Sequence, residues 1–517
     1  MSHANSNHPH MPISRRAVLG GLGAAALGSI VTSRHAFAAE RTSLVYGLSA
    51  YPPNLRPWEN VGAAAGAVKL MLYRGLLGYD GNGNLAGELA ESWKLDGERA
   101  YVFALRANAK FHNGDPVTAA DIKHSLDQMM APTSTAFLRQ DLQVIETIET
   151  PDARTVRLVL KEPSTILPYL LASFNAPMVS AKSKPDAPIG AGPFTLKGME
   201  KGSYIEVERF DGFYKPGKPA LKAIRFSVFA DEDLRLAALE AGDLDIIEYV
   251  PWQSIDRVGR NPKLALETTN GPFMFVMFNT SKGPFADARV RRAVGYAINR
   301  KDIINAAFAG KGEELFGLPV PVGSPFAGED PANSWSYDPA KAKQLLAEAG
   351  LAGGFSTSLL STAQYGMHKN TAEVVQQQLE AVGIMAELKL PDFATRIQLG
   401  TKGQYEIAVH GSSGDYNDPD ALSPFIGSGS PNHLRSFGFK SERIDAILAR
   451  GRRELDQAKR VAIYAELRKA FFEEAPLVGL NWRTQAYARK AEIKGFRNLP
   501  GFLNVSSPYT LDDVVIG

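Results

Sequence analysis

Cysteine is absent from the 517-residue sequence. Disulfide bonds, thiolate metal sites, a cysteine nucleophile and a lipid-modified N-terminal cysteine are therefore excluded. A chain without thiols can enter an oxidising compartment without forming wrong disulfide pairs. The lack of cysteine thus suits an exported protein.

The sequence also lacks a strong charge of either sign and a long hydrophobic run. The formal net charge is +2, but residues 1–39 hold three arginines and no acid, which leaves 54 basic and 55 acidic residues in the remainder. No basic stripe is present, which argues against nucleic acid as a partner. The apolar run over residues 17–31 is shorter than the ~20 residues that span a bilayer, and no later run is long enough.

Motifs of common enzymes are missing as well. The chain has no Gly-x-Ser-x-Gly, His-Glu-x-x-His or phosphate-binding loop. A calcium loop starting at Asp415 fails because Pro419 and Asp420 replace a required ligand and a required glycine. The histidines beyond the N-terminal segment are scattered without metal-ligand spacing, and they are His112, His124, His368, His410 and His433. We therefore expect no enzymatic activity, no cofactor and no metal site.

The N-terminus has the order of an export signal. The twin-arginine pattern Ser14-Arg15-Arg16-Ala17-Val18-Leu19 precedes the apolar run, and Ala36-Phe37-Ala38 follows as a small-x-small cleavage site. A twin-arginine signal indicates export in the folded state. The sequence thus predicts a signal peptide over residues 1–38 and a mature protein in a bacterial periplasm.

The mature chain is long enough for two or three domains. Strands alternate with helices through its second half, which predicts βαβ units and an α/β fold. A basic cluster lies in and after a helix predicted over residues 287–299, and it comprises Arg289, Arg291, Arg292 and Arg300. We expect this cluster on a solvated helix face.

The stretch of residues 411–420 is distinctive. Three acids, two glycines and one proline occur in these ten residues, with no lysine or arginine among them. The glycines allow close approach of a ligand, and Pro419 ends regular structure. The pattern predicts a rigid anionic loop that can present a carboxylate to a cation, although the residues alone favour an acid that caps a turn.

Five stretches match the pattern of one protein family, in that family's order. They are Leu85-Ala86-Gly87-Glu88-Leu89-Ala90-Glu91-Ser92-Trp93; Phe103-Ala104-Leu105-Arg106 with Phe111-His112-Asn113-Gly114; Gly190-Ala191-Gly192-Pro193-Phe194; Phe278-Asn279-Thr280 with Pro284-Phe285-Ala286-Asp287-Ala288-Arg289-Val290-Arg291-Arg292-Ala293; and Gly414-Asp415-Tyr416-Asn417-Asp418-Pro419-Asp420. With this ordered set, the chain resembles the peptide/nickel-type (family 5) extracellular solute-binding proteins of bacterial ABC importers.

The resemblance implies a fold and a function. The fold would be the two-lobed α/β fold of periplasmic binding proteins (cluster C type), with an inserted subdomain and a central ligand cleft. Lobe 1 would combine residues 39–74, 186–269 and 484–517, the inserted subdomain would cover residues 75–185, and lobe 2 would cover residues 270–483. The chain would be a monomer that binds a peptide or related amine-bearing solute and delivers it to the transmembrane permease subunits.

The resemblance also implies the site residues. Asp415 would pair with the ammonium group of the ligand, whereas Asp418 and Asp420 would only cap the turn. The other candidates fall into four groups. Ser413, Gly414 and Tyr416 are neighbours of Asp415 in the loop, and Tyr365, Trp482 and Trp58 would form aromatic walls. His368 would supply a cation, and Asn279 would supply an amide at the end of a strand. Asn279 would bond the ligand backbone or cap its own turn.

The sequence departs from the family at the site. Many peptide-binding members have a tryptophan where this chain has Ser412, and dipeptide-type members have an arginine where it has Thr362. The arginines that hold a peptide's carboxylate have no recognisable counterpart, although His368-Lys369 offers a replacement cation. Longer peptides, an amine without a carboxylate, a metal chelate, an opine or a sugar-like solute are therefore alternatives, as is presentation of a ligand to a chemoreceptor.

Overall fold

A computed structural model describes residues 41–184, 186–321, 323–328, 334–430 and 432–517. The predicted signal peptide, residues 1–38, lies outside the described residues. The contacts group Thr42–Gly517 into one unit. Among the helices of the described ranges, none is both long and apolar enough to cross a membrane.

Helices and strands alternate as predicted for the second half, and the α/β class is confirmed. The α-helices are α1 (Ala63–Leu72), α2 (Ala119–Met130), α3 (Leu167–Ala172), α4 (Glu232–Ala241), α5 (Ile255–Gly259), α6 (Ala288–Ala297), α7 (Arg300–Phe308), α8 (Pro339–Glu348), α9 (Gly366–Glu380), α10 (Phe393–Thr401), α11 (Ser423–Ile426), α12 (Glu442–Arg453) and α13 (Gln457–Glu474). Short 3₁₀ helices include Asp141–Val144, Pro419–Leu422 and Gly501–Asp513.

The strands fall into one large sheet and several small ones. They are β1 (Ser43–Leu48), β2 (Leu77–Tyr79), β3 (Leu85–Gly87), β4 (Ala90–Leu95), β5 (Ala100–Leu105), β6 (Ile145–Asp152), β7 (Thr155–Leu160), β8 (Phe194–Glu200), β9 (Tyr204–Arg209), β10 (Ala223–Val228), β11 (Ile246–Ile247), β12 (Leu264–Phe278), β13 (Gly312–Glu314), β14 (Phe355–Leu360), β15 (Ile384–Lys389), β16 (Ile407–Ser412), β17 (Val478–Lys490), β18 (Ile493–Lys494) and β19 (Val515–Ile516).

Two long strands hold the large sheet together. Its order is β15-β14-β16-β12-β17-β11-β1-β10-β9-β8, and β12 pairs antiparallel with β17 at the centre. The sequence predicts only residues 274–279 as a strand here and only short strands after residue 478, so both predictions are too short. The first half of β12 is partly exposed and polar. A strand of that kind contains no run of apolar residues from which the sequence could predict it.

Three neighbouring strands of the large sheet are parallel, namely β14, β15 and β16. Helix α9 follows β14, helix α10 follows β15, and the loop of residues 413–420 follows β16. In α/β folds, ligands bind outside the carboxyl ends of such strands. This edge of the sheet therefore brings three chain segments together where a ligand site is expected.

The basic cluster is not the solvated face that the sequence predicts. Arg291 and Arg300 are 5% and 1% exposed. The guanidinium group of Arg291 donates to the backbone carbonyl oxygens of Phe285, Ala286, Glu474 and Ala475. The prediction is wrong for both arginines because their guanidinium groups bind main-chain oxygens, some of them from segments that are distant in sequence.

A buried ion network joins four segments that are remote in sequence. Arg74 Nε lies 3.2 Å from Glu88 Oε2, and Arg74 Nη2 lies 3.3 Å from Asp512 Oδ2. Lys215 Nζ contacts the same two acids, at 2.8 and 3.0 Å. Burial alone would raise the pKa of Asp512, but Lys215 and Arg74 bring it below its ordinary value. The network therefore fixes N-terminal, middle and C-terminal segments of the chain to each other.

Substitution of Asp512 tests this network. Asp512→Ala should lower the free energy of unfolding by about 3 kcal/mol, because it leaves Arg74 and Lys215 with Glu88 as their one remaining acid in the network. Urea unfolding at pH 7 measures the change. Because the folded-state pKa of Asp512 is depressed, the difference from wild type should shrink as the pH falls below 4.

Lys197→Ala is the matched control, since Lys197 and Glu206 form an ion pair on the surface. Exposed pairs contribute about 0–1 kcal/mol. Equal and small effects of the two substitutions would contradict the structural role of the network.

Candidate functional site

Asp415 lies in the loop that follows β16, at the edge where β14, β15 and β16 end. Its side chain is partly buried, and no hydrogen bond or ion pair from the described residues reaches its carboxylate. Loss of water raises the pKa of Asp415 to about 6, and the negative charge of Asp141 contributes to the rise. A carboxylate kept from water without a counter-ion is a place for a cationic ligand.

The other two acids of the loop have partners. Asp418 forms a two-pronged ion pair with Arg460 at 2.9 and 3.0 Å, and Asp420 accepts from Arg452 at 3.0 Å. Asp418 Oδ1 also accepts the backbone N–H of Asp420 at 3.0 Å, as a turn cap does. The loop therefore holds two neutralised acids and Asp415, which has no neutralising partner among the described residues.

Two hydroxyl groups occur near Asp415, that of Tyr79 from another segment and that of Ser413 from the same loop. The Tyr79 hydroxyl, at the end of β2, and the Ser413 Oγ are buried, and neither has a hydrogen-bond partner among the described residues. The pKa of Tyr79 is raised by burial and by several nearby charges, including that of Asp415. Asp141 keeps accessible surface, yet loss of water raises its pKa as well. Asp141 thus adds negative charge near Asp415.

Gly414 and Tyr416 shape the loop. A Cβ atom on Gly414 would lie 2.5 Å from the Phe502 ring, so only glycine lets the loop pack there. Tyr416 is buried, donates its hydroxyl to Asp420 Oδ2 at 2.9 Å and stacks on Tyr169 with ring centroids 5.6 Å apart. Both residues fix the loop conformation from which Asp415 projects.

Trp482 belongs to an aromatic cluster beneath this loop. Its ring lies 5.8 Å from that of Phe273 and 6.1 Å from that of Phe502. Phe273 is the strand partner of Ser412, and Phe502 packs against Gly414. The cluster therefore supports residues 412–414 from below, and Trp482 is 4% exposed.

His368 and Tyr365 lie at the start of α9, on the same edge of the sheet. The His368 ring is buried, 5.8 Å from that of His410 and 6.0 Å from that of Tyr365. Burial and the charges of two arginines lower the pKa of His368 to about 3. His368 is therefore neutral at neutral pH and does not carry the positive charge expected of it.

Trp58 and Asn279 use their polar groups elsewhere. Trp58 Nε1 donates to the Pro177 carbonyl oxygen at 2.9 Å. The Asn279 amide donates to the carbonyl oxygens of Gly403 and Tyr405, and its oxygen accepts from the N–H and hydroxyl of Ser281. Asn279 thus has its bonding capacity filled by its own turn, which favours the turn-capping alternative.

The structure adds residues that the sequence does not indicate, namely Tyr79, Asp141, Arg396 and Arg483. Arg396 lies in the helix that follows the parallel strand β15, and Arg483 directly follows Trp482. A search of the first turn after each parallel strand would have pointed to Arg396. Within the described ranges, no group of three or more His, Asp or Glu side chains is placed to hold a metal ion.

Known proteins resemble this chain over most of its length. A family model, bacterial extracellular solute-binding proteins, family 5 (middle), matches residues 84–433. The glutathione-binding protein GsiB of Escherichia coli K12 is 29% identical over 497 residues, which are 93% of this chain and 96% of GsiB.

Solved structures agree with this match. The periplasmic binding protein AgaA of A. tumefaciens R10, in complex with agropinic acid, is 39% identical with a TM-score of 0.84, over 92% of this chain and 99% of AgaA. DppA of Helicobacter pylori, in complex with the peptide STSA, has a TM-score of 0.79 over 92% of this chain and 98% of DppA, at 22% identity. The DppA likeness shows the fold alone, and both confirm the two-lobed periplasmic-binding-protein fold.

The family model covers more than half of the chain. This chain therefore belongs to the family 5 bacterial extracellular solute-binding proteins, the solute-binding components of ABC importers.

Proposed function

We propose that this protein captures a peptide or a related small amine-bearing solute in the cleft between its lobes and delivers it to the permease. The observation that carries this proposal is the unpartnered carboxylate of Asp415. Its two neighbours in the loop, Asp418 and Asp420, are neutralised by arginines. Asp415 is thus the acid of this loop that is available to a cation from outside the chain.

The groups around Asp415 suit an ammonium ion. An ammonium group has three N–H donors, and it needs three acceptors when it leaves water. The carboxylate of Asp415 and the hydroxyls of Tyr79 and Ser413 are acceptors without partners, and Asp141 adds negative charge nearby. A buried polar group without a partner costs about 1–3 kcal/mol, and the ligand would recover that cost.

The proposed domain boundaries connect this site to lobe closure. They place Asp415 in lobe 2, residues 270–483, and Tyr79 and Asp141 in the inserted subdomain, residues 75–185. A ligand that contacts both bodies is fully bound only when the cleft is closed. Binding then shifts the population towards the closed form, in the manner of a Venus flytrap.

One relative supports this class of solute. GsiB is named for glutathione, a tripeptide with a free ammonium group, whereas AgaA was solved with agropinic acid, an opine. We propose a monomeric binding protein without catalytic activity, exported by the twin-arginine route and cleaved near Ala38. Export by this route places the folded protein in the periplasm, where the permease receives its solute.

Asp415→Asn removes the charge and keeps the shape of the side chain. Native mass spectrometry of the protein isolated from its own periplasm should show a retained solute in wild type and none in the variant. Isothermal titration calorimetry with reduced glutathione should show a loss of affinity of about 30-fold or more, which is the lower end for one member of a desolvated charge pair. The melting temperature of the ligand-free variant should be unchanged or higher, because the substitution removes an uncompensated charge.

Asp418→Asn is the matched control within the same loop. It leaves the buried Arg460 with a weaker partner, so it should lower the stability and leave solute retention intact in the folded fraction. If Asp415→Asn retained as much solute as wild type, this result would contradict the proposed role of Asp415.

The pH dependence of binding gives an independent test. With a pKa of about 6, Asp415 is ionised above pH 6 in the ligand-free protein. Below pH 6, binding of a cation must displace a proton, so the affinity for glutathione should fall by up to about tenfold per pH unit. Calorimetry from pH 8 to pH 4.5 measures how steeply the affinity falls with pH. If the affinity of Asp415→Asn fell with pH as steeply as that of wild type, a group other than Asp415 would be responsible for the pH dependence.

A further inference from the structure

We propose that residues 162–169 and the C-terminal end of α12 form a clasp that holds the cleft closed over the solute. The clasp joins three residues of the proposed inserted subdomain to three residues of the proposed lobe 2, namely Glu162, Thr165 and Tyr169 to Tyr416, Arg452 and Arg453. This inference rests on the proposed function and its domain boundaries, and it names contacts that determine how long the closed form keeps its solute.

The first contact of the clasp is made by a carbonyl oxygen at the end of a helix. The backbone N–H of Thr165 donates to the Arg452 carbonyl oxygen at 2.9 Å, and the Thr165 hydroxyl donates to the same oxygen at 3.0 Å. Arg452 lies in the last turn of α12, where carbonyl oxygens have no partner within the helix. Thr165 therefore satisfies this end of α12 from a segment 287 positions away in sequence.

An ion pair and two stacked rings accompany this bond. Glu162 Oε2 lies 2.6 Å from Arg453 Nη2, and the two side chains are 41% and 49% exposed. The rings of Tyr169 and Tyr416 stack at 18°, with their centroids 5.6 Å apart. Exposed ion pairs and single aromatic pairs each contribute little. Contacts of this size favour the closed form without making it permanent, as a protein that must release its solute requires.

The clasp is connected to the loop that presents Asp415. Tyr416 follows Asp415 directly, and its hydroxyl donates to Asp420 Oδ2 at 2.9 Å. The side chain of Arg452 donates to Asp420 Oδ1 at 3.0 Å, while its carbonyl oxygen accepts from Thr165. Asp420 thus joins the two parts of the clasp that belong to the proposed lobe 2, and both parts are fixed by the loop of Asp415.

Closure and solute binding reinforce each other through this connection. A solute that contacts both bodies shifts the population towards the closed form. Contacts between the bodies that exist only in the closed form add to its stability, whatever the solute is. The clasp therefore slows the release of the solute and raises the affinity, and it does so without selecting between solutes.

Reversal of the charge in the ion pair tests the clasp. Glu162→Lys should speed solute release about threefold or more, because it places two positive charges opposite each other in the closed form. The protein is isolated from its own periplasm and dialysed, and native mass spectrometry follows the fraction that still holds solute. Glu162→Lys combined with Arg453→Glu should restore the wild-type rate.

Glu149→Lys is the matched control for this reversal. Glu149 and Arg157 form a partly exposed ion pair within the proposed inserted subdomain, so the same change of charge should leave solute release unchanged. Wild-type release by Glu162→Lys would overturn the clasp. A faster release that Arg453→Glu does not reverse would overturn it as well.

The stacked rings are tested by two substitutions of Tyr169. Tyr169→Ala removes the ring and should speed solute release about threefold or more. Tyr169→Phe keeps the ring and should release solute at the wild-type rate. Equal acceleration in both variants would assign the effect to the hydroxyl group and would contradict the role of the stack.

A cross-link gives a test that needs no solute. Because the chain has no cysteine, Glu162→Cys with Arg453→Cys carries two thiols and no others, and a short bismaleimide can join them. By small-angle X-ray scattering, the joined protein should have a smaller radius of gyration than the same protein with both thiols blocked, because the open forms are removed. Glu149→Cys with Arg157→Cys is the control, and its radius of gyration should not change on joining.

Two results of the cross-linking would overturn the clasp. An unchanged radius of gyration in the joined Glu162→Cys and Arg453→Cys protein would show that the contact is permanent. Failure to join this pair, while the control pair joins, would show that the two segments do not meet in solution.

The variants also separate this proposal from the proposed function. Loss of solute in Asp415→Asn together with wild-type release in Glu162→Lys and Tyr169→Ala would overturn the clasp and leave the amine site standing. Solute retention in Asp415→Asn together with faster release in the two clasp variants would overturn the amine site and leave the clasp standing.

Discussion

The structure depends on one constraint, which is that a charge taken out of water needs an opposite charge or several hydrogen bonds. The chain meets it almost everywhere in the described interior. Arg74 shares Glu88 and Asp512 with Lys215, and the guanidinium of Arg291 is surrounded by carbonyl oxygens. Buried charges that do not meet the constraint are consequently informative, because the protein bears their cost in its ligand-free form.

Asp415 is the exception in the loop that follows β16. No hydrogen bond or ion pair from the described residues reaches its carboxylate, whereas Asp418 and Asp420 in the same loop are paired with Arg460 and Arg452. The proposed amine site follows from this difference, because a cation from outside the chain would supply the missing opposite charge.

Several features of this arrangement follow from local sequence. The Thr118–Asp121 capping box starts α2, and Gly242 ends α4 in the left-handed conformation. The family motifs indicate the fold, and their last member identifies Asp415 as the candidate acid. Such features can be predicted from the sequence because each depends on residues within a few positions of each other, or on motifs that occur in the order typical of the family.

Contacts between residues that are distant in sequence determine the features that the sequence does not predict. The ten residues around Asp415 contain no base, and the arginines that neutralise Asp418 and Asp420 lie 42 and 32 positions away. The first half of β12 is a strand because β17 pairs with it, and Arg291 is buried because residues 474 and 475 supply its acceptors.

The sequence by itself thus determined the class of fold, the export signal that we predict and the one loop acid to consider. Only the tertiary structure decided which charges are neutralised and which remain for a ligand. The physical reason is that the energy of a buried charge depends on groups a few ångströms away in space, whatever their distance along the chain.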